Sequence, residues 1–378
     1  MKKLQECCNE FIVPQRDKPK EFGGDIPWCR IEDIEGKYLN GTNSGKFVTK
    51  ETVKKMNLKV IPKGSVICSC SASLGVQAIL TTSCITNQTF IGIVPSEEIS
   101  KEFLYYFLKS KTNYFKKIGT GTTIPYISRK KFEELLIPKS SINEQDKIVK
   151  TLEKAELIIE KRKQQLQQLD ELVKSRFIEL FGEDDYPKVL FEDVCVFLRN
   201  GANIKQTKGA GGYPITRIET LANDMFNIDR LGYADITDLE KYQGYILRNG
   251  DILISHINSV AYLGRAVQYR GQHDSPIIHG MNLLCARIVD LYNPTYIEWH
   301  FKTPMAKEYI STITKKAVNQ ASITSSDLKK MKVPNPPKEM QDEFAEFVKE
   351  VEKSKFVVQK ALDEAQTLFD SLMQEYFG

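Results

Sequence analysis

The chain has 378 residues, of which 41% are apolar and 27% are charged, and its formal net charge is +4. This length allows two or more domains with cores of their own, and the composition excludes a disordered or collagen-like chain. No run of 18 apolar residues occurs, and polar residues follow Met1-Lys2-Lys3 where a signal peptide needs an apolar run. We therefore expect a globular, cytoplasmic protein without a membrane segment.

The cysteines and histidines do not form a recognisable metal motif. The eight cysteines lack the paired CxxC spacing of a zinc site and the density of a secreted disulfide framework, so we expect reduced, mostly buried thiols. The four histidines are scattered without ligand spacing. The sequence therefore predicts no metal site and no cofactor.

The chain divides into four predicted segments with unequal charge. Residues 1–142 carry 22 basic and 14 acidic residues, and residues 143–182 carry eight of each. Residues 183–338 carry 19 basic and 17 acidic residues, whereas residues 339–378 carry four basic and ten acidic ones. The basic first segment is compatible with a phosphate-bearing partner.

The first and third segments have the pattern of mixed domains. Short β-rich runs such as SVICS and FIGIV in the first, and DILIS and LLCARIV in the third, are bounded by Gly, Asn and Pro. Each segment also contains one helical stretch, at residues 102–117 and 296–310. The pattern predicts a compact α/β or α+β domain in each segment.

The second and fourth segments each predict one long polar helix, over about residues 143–181 and 339–377. Both helices follow prolines that cannot continue inward as helix. A heptad repeat predicts their buried seams, and seventeen of its twenty positions are apolar. The positions are Ile148, Leu152, Ala155, Ile159, Arg162, Leu166, Leu169, Val173, Arg176 and Leu180 in the first helix, and Phe344, Val348, Val351, Lys355, Val358, Leu362, Ala365, Phe369, Leu372 and Tyr376 in the second.

A 3.5-residue repeat over five heptads indicates two helices packed along their length. The two helices of this chain are each other's nearest candidates, although each could instead bind another protein. Two equivalent units in one chain are most simply related by a pseudo-twofold axis. We therefore predict an antiparallel two-helix coiled coil that separates two tandem α/β domains, in an α+β fold with an internal repeat.

The chain matches itself at two offsets. At 196 residues, YISRKKFEELLIPKSSINEQ (126–145) falls on SITSSDLKKMKVPNPPKEMQ (322–341), and SRFIELFG (175–182) falls on SLMQEYFG (371–378). Further upstream the offset is about 187, where IPWCRIEDI (26–34) pairs with YPITRIETL (213–221) and KGSVICS (63–69) with NGDILIS (249–255). The chain is therefore one unit of roughly 190 residues written twice.

Several stretches imitate catalytic motifs but fail on spacing. GTNSGKF (41–47) has three residues between its glycines where a phosphate-binding loop needs four, and Phe47 replaces the Ser/Thr that would hold magnesium. NPPK (335–338) ends in Lys338 where an adenine methyltransferase has a stacking aromatic ring, and no methyl-donor motif accompanies it. We therefore do not expect this chain to be an enzyme.

The organisation resembles the specificity subunit of type I restriction-modification enzymes over essentially the whole chain. The most specific local sign is the junction before each long helix, LLIPKSSINEQDKIVKTL and MKVPNPPKEMQDEFAEFV. KGSVICSCSASLG and NGDILISHINSVAYLG also look like the family's Gly-Asp-apolar strand, with Ser65 replacing Asp in the first. The sequence departs from the junction pattern at Lys139-Ser140 and at Met340.

The resemblance implies a DNA reader without catalytic residues. Residues 1–142 and 183–338 would be target recognition domains that each read one half of a bipartite, asymmetric site in double-stranded DNA. Two modification (methyltransferase) subunits would dock on the conserved helices at 143–182 and 339–378, and restriction (nuclease/translocase) subunits would join through them. A coiled-coil adaptor without DNA specificity and a self-contained DNA methyltransferase remain as alternatives.

Base readout needs polar side chains on loops that reach the major groove, with other basic residues on phosphates. Loop glycines beside such residues would let the backbone approach DNA closely. The candidate DNA-binding residues are Arg30, Thr42, Asn43, Lys46, Ser69, Ser71, Ser73, Thr120, Thr122 and Thr123 in the first copy, and Arg199, Asn203, Lys205, Lys208, Arg217, His256, Asn258, Ser259, Lys316, Asn319 and Gln320 in the second.

Overall fold

The computed structural model describes residues 1–15, 18–120, 124–182, 186–207, 211–222, 224–271, 273–317 and 320–378. These residues form two compact units. The first unit comprises residues 1–165 and 358–378, and the second comprises residues 166–357. Each long helix is therefore divided between the two units.

The strands of the described residues are short, and most have four residues or fewer. In the first half of the chain they are β1 (Lys2–Lys3), β2 (Cys8–Ile12), β3 (Ile26–Cys29), β4 (Tyr38–Leu39), β5 (Phe47–Val48), β6 (Val66–Ser69), β7 (Gln77–Leu80), β8 (Ile85–Thr86), β9 (Phe90–Pro95) and β10 (Leu136–Ile137). In the second half they are β11 (Lys188–Leu190), β12 (Cys195–Asn200), β13 (Gln206–Thr207), β14 (Tyr213–Ile215), β15 (Leu221–Ala222), β16 (Met225–Phe226), β17 (Gly232–Ala234), β18 (Ile252–Ser255), β19 (Ile257–Asn258), β20 (Ala266–Gln268), β21 (Leu283–Ile288), β22 (Lys315–Lys316), β23 (Ala321–Ser322) and β24 (Lys332–Pro334).

The α-helices of the described residues comprise two long helices and several short ones. They are α1 (Lys50–Lys55), α2 (Lys101–Ser110), α3 (Thr112–Ile118), α4 (Arg129–Glu133), α5 (Ile142–Phe181), α6 (Phe191–Val194), α7 (Pro294–His300), α8 (Pro304–Ile313), α9 (Ser325–Leu328) and α10 (Lys338–Phe377). No helix among the described residues combines the length and apolar character needed to cross a bilayer.

The main sheets of the two units repeat one strand order. The first unit has β2-β9-β6-β7-β4, and the second has β12-β21-β18-β20. The central strands β6 and β18 are buried at every residue. This burial explains why their sequences, VICS and ILIS, read as continuous apolar runs rather than as alternating ones. The predicted α+β fold with an internal repeat is confirmed.

The long helices share the core of the first unit with its globular part. Leu152 and Ile159 of α5 and Phe369 of α10, all predicted seam positions, are buried in one cluster with α2. A second stripe of α10 enters the same core, where the Phe377 ring lies 5.1 Å from the ring of Phe103. The heptad accounts for the seam but not for this aromatic stripe.

In the second unit the two helices run antiparallel. Lys355 of α10 pairs with Asp170 of α5 at 2.8 Å, and the Arg176 guanidinium pairs with the Glu343 carboxylate. As the residue number rises along α5, the number of the paired residue on α10 falls. The two helices therefore run in opposite directions here. The predicted seam residue Lys355 is thus stabilised by a cross-helix ion pair rather than by apolar contact.

One glutamine near the start of each long helix bonds the N-cap residue of a short helix in its unit, and the two glutamines are equivalent in the repeat. Gln145 of α5 accepts from the Ser100 backbone N–H at 2.9 Å, and Gln341 of α10 accepts from the Asn293 N–H at 2.9 Å. Ser100 and Asn293 are the N-cap residues of α2 and α7. Both glutamines are buried, so each satisfies a helix terminus inside its core. This geometry explains the glutamine that the sequence repeats at both junctions.

Candidate nucleic-acid interface

A small loop platform lies at the end of β6 in the first unit. Ser71 and Thr120 each form a β-bridge with Tyr126. The Ile127 N–H donates to the Cys70 carbonyl at 2.8 Å, which connects this loop to the core. We call the segments around Ser71, Thr120 and Tyr126 the first platform. Ser71 is half-buried, whereas Thr120 and Tyr126 are exposed.

The second unit has the same arrangement at the end of β18. Here β19, β23 and β22 form a three-stranded sheet, in which Ile257 and Lys315 both pair with Ser322. The Ile323 N–H donates to the His256 carbonyl at 2.9 Å, the counterpart of the Ile127 bond. We call this sheet the second platform. It brings together the predicted residues Asn258 and Lys316, with Gln320 next to β23 in the chain.

The two platforms share backbone pairing but not side chains. The first presents hydroxyl groups from Ser71, Thr120 and Tyr126, whereas the second presents the amide of Asn258 and the ammonium of Lys316. Hydroxyls, amides and cations recognise different base edges and phosphates. One backbone frame therefore presents two different sets of polar side chains.

A cavity of about 340 Å³ borders the first platform. It brings together four predicted residues, Arg30, Lys46, Ser71 and Ser73, together with Trp28 and Phe22. Arg30 and Lys46 flank the paired strands β3 and β5, where the Trp28 N–H donates to the Lys46 carbonyl at 2.9 Å. Sheet pairing therefore places two cations beside one opening.

Three other predicted residues of the first unit hold loops together. The Asn43 N–H donates to Asp33 Oδ1 at 2.7 Å, and Thr42 Oγ1 lies 3.3 Å from the same oxygen. The Ser69 hydroxyl is buried, accepts from the Val76 N–H at 2.9 Å and donates to the Ser73 carbonyl. These polar groups are occupied within the protein.

Four predicted residues of the second unit lie near its β12 and β13 strands rather than on the platform. The Arg199 guanidinium stacks on Phe197 at 4.4 Å from the ring centroid and donates to the Gly244 carbonyl. Arg217 donates from Nε to Gln206 Oε1 at 2.6 Å. The side chains of Asn203 and Lys205 are exposed just before β13.

His256 is buried at the base of the second platform. Its Nε2 lies 3.4 Å from Asn200 Nδ2, and no hydrogen-bond partner for Nδ1 occurs among the described residues. Burial lowers the pKa of His256, so the neutral imidazole is favoured near pH 7. Asn258 Oδ1 accepts from the Ser259 N–H at 2.8 Å, which fixes the turn above the histidine.

The predicted residues Thr122, Thr123, Lys208 and Asn319 lie outside the described residues. The structure also adds Phe22, Trp28 and Tyr126, which the sequence-based selection missed because it did not consider Phe, Trp or Tyr side chains. One backbone signal accompanies them: Ala72, next to Ser71, has a φ of 62°. A non-glycine residue in this region is strained and marks a loop whose conformation its surroundings impose. Among the described residues, no group of three His, Cys, Asp or Glu side chains is arranged to hold a metal ion.

Comparison with known proteins identifies a sequence family. The profile described as "Type I restriction modification DNA specificity domain" matches residues 6–171 and again residues 183–365. The EcoKI specificity subunit of Escherichia coli is 24% identical over 376 residues, which cover 92% of this chain and 80% of that protein. The two matched blocks correspond to the two copies of the internal repeat.

Two proteins of Methanocaldococcus jannaschii match a shorter stretch. The MjaIX specificity subunit is 35% identical over 170 residues, which cover 43% of this chain and 39% of that protein. A second protein, named for the MjaX system, is 35% identical over 198 residues, which cover 51% of this chain and 46% of that protein. The chain thus spans less than half the length of these two relatives.

Solved structures share the fold. The S subunit of a type I restriction-modification system from M. genitalium aligns over all of this chain and 95% of its own, with a TM-score of 0.56 and 16% identity. A chain from a study of complex assembly and conformational transition of the type I R-M system has a TM-score of 0.58 and 19% identity, and covers all of this chain and 96% of that one. Since the family profile covers most of the chain in two consecutive blocks, this protein belongs to the type I restriction modification DNA specificity domain family.

Proposed function

We propose that the chain is the DNA-recognition subunit of a type I restriction-modification complex, with one half-site read by each unit. The observation that carries this proposal is the duplicated platform, in which one backbone frame presents different polar side chains. Two copies that served only as scaffolds would not need such different sets of polar groups on one backbone frame. The DNA site would accordingly be bipartite and asymmetric.

The proposed target recognition domains are residues 1–142 and 183–338, and the proposed conserved helices are residues 143–182 and 339–378. Within these domains the predicted platform residues Ser71, Thr120, Asn258 and Lys316 would contact DNA. Predicted residues outside the platforms whose polar groups are occupied, such as Thr42 and Ser69, would hold the contacting loops in place. Residues that contact phosphates would set affinity, and residues that contact base edges would set sequence preference.

The helices would fix the spacing between the half-sites and carry the partner subunits. Side chains outside the seams, among them Phe356 and Val357, are 72% and 65% exposed. Such apolar exposure is typical of surfaces that bind another protein. Modification subunits would methylate adenine, restriction subunits would cleave DNA, and this chain would act with them in the cytoplasm without catalysing either step.

The proposal is tested by DNA selection with the full complex of this chain and its modification subunits. Asn258→Ala and Lys316→Ala are expected to relax or weaken one half of the enriched motif, at about 1–3 kcal/mol for each lost base contact. Ser71→Ala and Thr120→Ala are expected to affect the other half. Lys307→Ala, an exposed lysine of α8 away from the platform, serves as the matched control.

The pattern of changes decides between the candidate functions. The two-reader proposal is supported if the motif is bipartite and the variants of the first platform alter one half while those of the second platform alter the other half. The absence of any enriched motif with the modification subunits present would favour an adaptor without DNA specificity. Methyl transfer by the purified chain alone would instead favour a self-contained methyltransferase.

A further inference from the structure

The cavity beside the first platform has the size and lining of a small-ligand site. Its volume of about 340 Å³ lies at the lower end of the range for such sites. It borders Ser71, so it adjoins the surface proposed to face DNA. A straight duplex offers only its edges and backbone to a surface, and a recess of this volume exceeds what either fills.

One side of the cavity is aromatic. Phe22 is 44% exposed and Trp28, which is 3% exposed, closes the wall behind it. Nucleobases stack on such rings irrespective of sequence, because every base has a π face. The Lys46 ammonium lies 5.2 Å from the centroid of the Phe22 ring, so a cation accompanies the stacking surface.

The other side of the cavity is polar and positively charged. Lys18, Arg30 and Lys46 line it, and Glu32 is the acidic residue among its lining groups. Arg30 Nε is buried and forms an ion pair with the Glu32 carboxylate 3.5 Å away, but it makes no hydrogen bond among the described residues. An oxygen or ring nitrogen of a bound ligand would supply the missing hydrogen-bond acceptor.

The equivalent arginine of the second unit is arranged differently. Arg217 Nε donates to Gln206 Oε1 at 2.6 Å. A Cβ placed on Gly232 would come within 2.4 Å of the same Nε, so this arginine is packed closely against β17. Arg217 therefore acts as a structural residue, while Arg30 retains a donor for a ligand. The open site is a feature of the first unit.

We propose that this cavity receives one nucleotide of the target DNA turned out of the base stack. This inference rests on the proposed function and specifies how the first unit reads its half-site. The base lies against Phe22 and Trp28, a base acceptor pairs with Arg30 Nε, and Lys46 neutralises the adjacent phosphate. Stacking on Phe22 and the bond to Arg30 offset the free energy lost when the base leaves the duplex stack.

The chain allows a direct binding assay, since Trp28 and Trp299 are its two tryptophans. In the full chain carrying Trp299→Phe, fluorescence reports on Trp28 in the cavity wall. Titration with deoxynucleoside monophosphates is expected to give saturable quenching, whereas inorganic phosphate gives none. Phe22→Ala and Arg30→Ala are expected to weaken nucleotide binding about tenfold or more. Lys307→Ala, at an exposed lysine of α8 in the second unit, is the control and leaves binding unchanged.

Each outcome separates this inference from the proposed function. Absence of quenching by all four nucleotides overturns the cavity as a nucleotide site, and so does equal quenching by inorganic phosphate, which would indicate a phosphate subsite only. If the complex still selects a bipartite motif in that case, the proposed function stands without the cavity. If nucleotides bind as expected but the complex selects no motif, the nucleotide site stands and the proposed function fails.

Discussion

The two units of the chain have the same backbone frame but differ in several of their buried polar side chains. Their main sheets share a strand order, and Phe377 and Phe181 occupy equivalent positions at the ends of the long helices. Some buried polar groups nevertheless differ: Asp251, immediately before β18, replaces Ser65, immediately before β6, and the four histidines belong to the second unit. Packing and the equivalent glutamines Gln145 and Gln341 therefore define the shared fold, while other buried polar residues differ between the copies.

The largest expected effect concerns the shared aromatic anchor. Phe377 packs on Phe103, and Phe181 packs 4.8 Å from Tyr296 and 5.7 Å from Phe344. Phe377→Ala is expected to destabilise the first unit by about 3–5 kcal/mol, and Phe181→Ala the second by a similar amount. The check is urea unfolding read by cysteine alkylation, because Cys68 reports on the first unit and Cys285 on the second.

Each substitution should act on its own unit. If Phe377→Ala exposes Cys285 as readily as Cys68, the two units do not unfold separately, which would contradict the assignment of each aromatic anchor to its own unit.

The next largest expected effect is the difference in stability between alanine substitutions at Asp251 and at Ser65. Asp251 is 1% exposed and accepts two bonds from Arg287, at 2.8 and 2.7 Å, and one from the Arg248 N–H at 2.8 Å. Asp251→Ala leaves Arg287 without its partner and is expected to cost about 3 kcal/mol, at the low end for a buried pair because Arg287 is partly exposed.

Ser65→Ala is the matched change in the first unit, with an outcome of opposite sign. The Ser65 hydroxyl is buried and has no partner among the described residues, so its removal is expected to be neutral or to stabilise by up to about 1 kcal/mol. Denaturant unfolding of both variants checks the pair. A loss of several kcal/mol for Ser65→Ala would mean that its hydroxyl is paired.

A smaller difference between the two units is expected in how their stability depends on pH. Burial lowers the pKa of His279 and of His300 to about 4, whereas an unfolded histidine titrates near 6.5. The unfolded state therefore binds more protons, and their stabilisation, complete above pH 6.5, is lost as pH falls toward 4. At pH 5 the loss is on the order of 2 kcal/mol for each histidine.

The first unit serves as the internal control for this pH effect, since all four histidines lie in the second unit. Cysteine-resolved unfolding between pH 7 and pH 5 is expected to show a steeper loss for the second unit. Equal slopes in the two units would contradict the assignment of the effect to buried histidines.

The sequence predicted the repeat and the long helices well because both depend on apolar spacing. The helices predicted at 143–181 and 339–377 are observed at Ile142–Phe181 and Lys338–Phe377. The stripe that packs on the globular parts, which includes Phe177 and Met373, was not predicted. A heptad describes one seam, whereas these residues contact a surface assembled from distant parts of the chain.

The candidate site was predictable by region rather than by residue. Loop position led to the selection of Ser71 and Lys316, which lie on the platforms, but it could not distinguish the open Arg30 from the equivalent Arg217. That distinction depends on Gln206, whose distance from Arg217 is set by the pairing of β13 and β14 with β17. Such tertiary contacts leave no periodic signal in the sequence.

Lengthening both helices tests the proposal that they hold two unlike readers at a set separation. Ile159–Gln165 and Val351–Val357 are duplicated, so that one heptad with an intact seam enters α5 and α10 near the unit boundaries. Methylated adenines are then mapped in cells that express the chain with its modification subunits. Seven residues add about 10 Å of helix, or roughly three base pairs of DNA. We predict a motif with both half-sites retained and a longer spacer. An unchanged spacer would contradict the proposal that the helices set the spacing.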